Sequence, residues 1–149
     1  MRKLMWPLAL LTTFVLGGAA ALLAEWSQYR QSASLEQLME ATFAPAADAV
    51  FNSAVWINGE PMGVPTTGVE WENVEHGAIT LAEASDLLLM PGRIKDVGDW
   101  RRFAHDLNAG ARAAERAALN QNLDDILQAG DLIYQACTNC HAKYLKPPS

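Results

Sequence analysis

The chain contains two cysteines, Cys137 and Cys140, and a histidine directly follows the second: Cys137-Thr138-Asn139-Cys140-His141. Two thiols and an imidazole at this spacing form the C-x-x-C-H signature of c-type haem attachment. Each residue type has a chemical reason. The thiols add across the two vinyl groups of a porphyrin, and the imidazole is offered to its iron. On a helix the three positions are i, i+3 and i+4 and share one face, so they reach one covalently held haem c together.

Other readings compete. A C-x-x-C is also a redox pair in thioredoxin-like proteins, but there a strand precedes it in a βαβ unit, and Leu123 to Ala136 has helical spacing. A structural zinc site takes four ligands, and the other histidines, His76 and His105, stand alone in polar helical contexts. Chance is the third alternative. No nucleophile–base set, phosphate loop or paired carboxylates suggests a hydrolase or transferase, so an enzyme is not expected.

The N-terminus weighs for haem. Met1-Arg2-Lys3 leads into an apolar run from Leu4 to about Ala24. A positive start, an apolar middle and small residues from Gly17 to Ala21 fit a secretory signal. Ala19-Ala20-Ala21 offers one cleavage point and Ala24 before Glu25 a second. The run is also about as long as the ~20 residues a membrane span needs. Residues 1–24 are therefore read as a signal peptide or an uncleaved inner-membrane anchor; only the latter makes the membrane a partner. Both put the bulk of the chain in the periplasm, where c-type haem is attached. Neither cysteine stands near the leader, so a lipid anchor is not expected.

Half of the 149 residues are hydrophobic, enough for one domain with a real core beside the leader. The formal charge is −6, and loss of Arg2 and Lys3 with the leader takes it to −8. That sign argues against nucleic-acid binding and favours a partner with a basic or mixed-charge face.

The elements that position the motif follow from periodicity. Residues 25–33 read as a linker and 34–149 as the domain. Ser34 with Gln37 makes a capping box, and Leu35, Leu38, Met39, Phe43, Ala46, Val50 and Ala54 carry a helical stripe over Leu35 to Val55. Pro45 should bend that helix. Asn58 to Gly68 is rich in turn formers and is read as a loop. Thr67 and Glu70 form a second capping box before a helix that runs to about Met90, where Pro91-Gly92 ends it. A third helix is expected from Val97 to Asn120 with Asp96 as its cap, its arginines forming a solvated face. Asn122 with Asp125 starts a fourth, which ends near Leu145 and carries the C-x-x-C-H in its last two turns. No strand pattern is visible. The spacing predicts an all-α fold in which four helices, each roughly 30 Å long, form an antiparallel bundle.

With these features the sequence resembles the cytochrome c′ superfamily, the class II c-type cytochromes. The resemblance covers about Ser34 to Lys146 and rests on the leader, the four helices, and Cys137-x-x-Cys140-His141 near the C-terminus with an aromatic at Tyr144. Class I cytochromes c have the reverse order, with the motif early and a methionine late. One departure is that Tyr144 is followed by Leu145 rather than by a basic residue, which comes next as Lys146. The resemblance implies that Cys137 and Cys140 form thioethers, that His141 is the proximal iron ligand, and that the other side of the haem faces the first helix. Low-spin members supply a methionine there, and Met39 stands at the expected place; Met62 and Met90 are poorer candidates. Five-coordinate members present an apolar residue instead and bind NO or CO. Phe43, Trp71, Trp100 and Tyr144 are candidates to pack on the porphyrin, and a bis-histidine site using His76 is a minor option. The implied function is a periplasmic monohaem electron carrier that exchanges single electrons with a redox partner protein. Pairing through the first two helices, common in the superfamily, makes a homodimer an expectation.

Overall fold

The computed structural model describes residues 30–145, and those from Ser34 onward belong to one compact unit. The leader read at residues 1–24 and the basic residue at Lys146 lie outside the described residues. The described chain is mostly helical.

The first helix, α1 (35–51), starts as the capping box requires. Gln37 N donates to Ser34 Oγ at 3.1 Å, and Ser34 N donates back to Gln37 Oε1 at 2.9 Å. The helix is not uniform. Leu35–Leu38 is α-helical, Met39–Phe43 is a π-helical turn in which Ala44 N donates to Met39 O, and Ala44–Phe51 resumes α. Pro45 supplies the reason. It has no N–H for the carbonyl of residue 41, and its ring clashes with that carbonyl in a regular helix, so the turn before it widens. The continuous helix expected over Leu35 to Val55 is thus corrected: a π turn interrupts it, and it closes in a 3-10 turn, Asn52–Ala54.

Val55 begins a strand. β1 (Val55–Ile57) pairs antiparallel with β2 (Glu60–Met62), with Val55 opposite Met62 and Ile57 opposite Glu60. The expectations of no strands and of an unbroken loop over Asn58 to Gly68 fail here. Asn58 and Gly59 have φ of 53° and 84°, the two left-handed residues that a two-residue hairpin turn needs. The all-α class therefore describes the bulk of the unit, with this ribbon as an exception.

The remaining starts follow side-chain caps. α2 (Gly68–Leu87) is held by Thr67, and the Glu70 carboxylate accepts from Thr66 N at 2.7 Å and Thr67 N at 2.9 Å. α3 (Asp99–Leu119) has Gly98 as its N-cap residue, two positions later than expected. Asp96 still does the capping, since its Oδ1 accepts from Gly98 N at 2.9 Å and Trp100 N at 3.1 Å. α4 (Leu123–Tyr144) starts at Asn122, whose Oδ1 accepts from Asp125 N at 3.2 Å.

Helix α1 packs on α2, α2 on α3, α3 on α4, and α1 also meets α4. Val50, Ala78, Leu81, Ala111, Ala114, Ile126 and Ile133 are essentially sealed from solvent, and each buried Val, Leu or Ile side chain contributes about 1.5–3 kcal/mol. Two helical glycines allow close helix–helix approach. A Cβ on Gly77 would stand 2.7 Å from Ala49 Cβ and 2.8 Å from Ala46 O, and one on Gly110 would stand 3.0 Å from Ile133 N. No helix among the described residues is long and apolar enough to cross a membrane.

Candidate cofactor site

The last two turns of α4 carry Cys137, Cys140 and His141. All three line one cleft, and α1 contributes Met39, Phe43, Ala44 and Ala47 to the same cleft. Leu81 and Leu88 close it from the α2 side, Phe103 and Leu107 from α3, and Ala136 from α4 itself. The enclosed space is about 170 Å³, and about 660 Å³ when the open mouth is counted. The cavity volume of about 170 Å³ lies below the roughly 300–1,000 Å³ of ordinary cofactor pockets, so a porphyrin would extend into the open mouth. The walls are apolar side chains apart from the sulfurs and the imidazole.

Met39 is the first residue of the π turn. The widening forced by Pro45 therefore occurs where α1 meets the cleft, and π-bulges of this kind concentrate at functional sites. Met62, by contrast, is exposed on β2, and Met90 Sδ accepts from Arg93 Nη1 at 3.4 Å. Neither lines the cleft. His76 is exposed, 3.8 Å from Glu72, and His105 is exposed on α3.

Both cysteines are free. Burial pushes the Cys137 thiol up, and burial reinforced by the neighbouring Cys137 pushes Cys140 up. A reactive redox dithiol needs the opposite shift. Among the described residues no group of three or more His, Cys, Asp or Glu side chains could hold a metal ion. A haem asks less of the protein, because the porphyrin supplies four nitrogens. Two thiols one turn apart, an adjacent imidazole, a thioether in the same cleft and apolar walls fit that group.

A second cluster fixes the turn that carries His141. Lys143 Nζ donates to Asp99 Oδ2 at 2.7 Å, and the Tyr144 hydroxyl donates to Asp96 Oδ2. The Tyr144 ring meets Trp100 edge-on at 5.1 Å and Phe103 at 6.3 Å. Trp100 Nε1 in turn donates to Leu88 O at 2.8 Å. The Tyr144 hydrogen bond holds the Asp96 carboxyl below its ordinary range, and the Lys143 hydrogen bond does the same for Asp99.

Of the aromatics expected on a porphyrin, only Phe43 lines the cleft. Trp71 is core, and Trp100 and Tyr144 belong to the clasp beside it. Phe103 and Leu107 line the cleft, although neither was assigned a role at the site from the sequence. Their i, i+4 spacing on the helix that faces the motif was the available signal.

No protein-family model, no curated protein and no solved structure matches the chain.

Proposed function

We propose that this chain is an exported monohaem c-type cytochrome that carries single electrons and has no catalytic turnover, its helices forming an antiparallel four-helix bundle of the cytochrome c′ kind. One observation carries the reading: Cys137, Cys140 and His141 from α4 and Met39 from α1 line a single apolar cleft. When bound, haem c supplies a one-electron iron couple. Cys137 and Cys140 would hold the porphyrin through thioethers, and His141 and Met39 would ligate its iron. Leu81, Leu88, Phe103 and Leu107 exclude water from the ring, and a thioether ligand raises the potential.

Met39→Ala tests the ligand set. The reading expects a low-spin, six-coordinate spectrum in the wild type and loss of the methionine–iron band in the variant. An unchanged spectrum removes Met39 from the site. The second reading, a five-coordinate protein for NO or CO, is favoured by one feature: Met39 apart, α1 offers the cleft only Phe43, Ala44 and Ala47, and no other donor. A high-spin ferrous wild type that binds CO readily selects it.

A further inference from the structure

Charge is sorted along this chain. No lysine or arginine stands between Arg30 and Arg93, a stretch that holds nine Asp and Glu residues. Among the described residues from Ser34 onward, the lysines and arginines fall on the α2–α3 connection, on α3, and at Lys143, which is spent on Asp99. From Leu123 to Ala142, α4 carries Asp124, Asp125 and Asp131 and neither lysine nor arginine. Where α1 meets α4, two stretches without lysine or arginine, 35–51 and 123–142, therefore lie side by side.

A groove of about 230 Å³ opens at that junction. Phe51 and Ala54 form one side, Leu127 and Gly130 the other, with Asp131 and Tyr134 also lining it. Tyr134 is 61% exposed and Leu127 37%. Gly130 has no side chain to cover Phe51, whose ring carbon lies 3.8 Å from where a Cβ would stand. An exposed tyrosine and leucine beside the Phe51 ring, edged by the Asp131 carboxylate, combine an apolar anchor with an anionic edge.

We infer that this groove docks a basic protein partner, which seats an apolar side chain against Phe51, Leu127 and Tyr134 and turns lysines or arginines toward Asp131 and the acidic first turn of α4. Tyr134 lies one helical turn before Cys137, so the partner sits beside the helix that carries the attachment residues. The electron-carrier reading enters only in naming that partner a redox protein; the surface itself is read from shape and charge. Opposite charge steers such encounters and makes them salt-sensitive. A second copy of the chain is disfavoured, because a twofold pairing of this face sets carboxylates against carboxylates. An anionic lipid surface is disfavoured by the same sign.

The test uses the isotopically labelled full chain at low ionic strength, with a lysine-rich class I cytochrome c as the basic probe. Amide shifts on titration should cluster at residues 50–54 and 124–134 and fade with added salt. Asp131→Lys should weaken binding roughly tenfold, and Tyr134→Ser should weaken it with the charge intact. Glu83→Lys, on exposed α2, should leave it unchanged. Shifts centred on another face, wild-type affinity in both groove variants, or the same shifts from raising the concentration of this chain alone overturn the inference. Haem content is read from the absorption of the same sample. Docking without haem removes the electron-carrier reading and leaves the surface standing; haem without docking does the reverse.

Discussion

The Tyr144 hydroxyl donates to Asp96, joining the last turn of α4 to the segment that caps α3. Asp96 is also the acceptor for Gly98 N and Trp100 N. One carboxylate therefore starts α3 and anchors the turn that begins with His141. Tyr144→Phe keeps the ring against Trp100 and Phe103 and removes only the hydroxyl. Its expected effects are a lower melting temperature and faster hydrogen exchange at the amides of residues 141–145. Wild-type protection there would remove the bond from any positioning role.

The same cluster sets a pH dependence. Asp96 and Asp99 are held below the ordinary aspartate range, by Tyr144 and Lys143 respectively. A depressed folded value means the stabilisation is fully present above the ordinary range and is lost as pH falls through the lowered values. Burial first, and then the Asp96 bond, raises Tyr144, so its contribution is lost as pH rises through that raised value. Urea midpoints across pH should fall on both flanks, and Asp96→Asn should flatten the acid flank.

Gly77 offers a test that needs no cofactor. A Cβ there meets Ala46 O and Ala49 Cβ, and backbone yields poorly. Gly77→Ala gains about 1 kcal/mol of helix propensity but incurs an overpacking cost of about 1–3 kcal/mol. Net destabilisation in urea unfolding is the expected result; net stabilisation would mean that α1 moves away freely.

Much of this was legible in the residues. Ser34/Gln37, Thr67/Glu70 and Asn122/Asp125 mark three helix starts because caps are local chemistry. Pro45 announced a disturbance, yet whether a helix kinks or widens depends on what packs around Met39, which is not local. The ribbon was missed because Val55 and Ile57 extend an apolar stripe by only three residues; the Asn58-Gly59 pair after them was the usable signal. The cleft's fourth wall, Phe103 and Leu107, came only with the packing of α3 on α4.

Loss of either thiol should show in the attachment itself. Cys137→Ala and Cys140→Ala singly should each leave at most one thioether and a shifted visible band. The double variant should retain no haem after extraction with acidified acetone. Full retention by the double variant would place the cofactor elsewhere.

The most direct measurement is the intact mass and ferrous pyridine spectrum of the exported wild-type protein, made with the cell's haem-attachment machinery present. The chain should carry the mass of one haem and show the band of a porphyrin saturated at both vinyl groups. A protein of polypeptide mass alone, with both cysteines still free, would contradict the cytochrome reading.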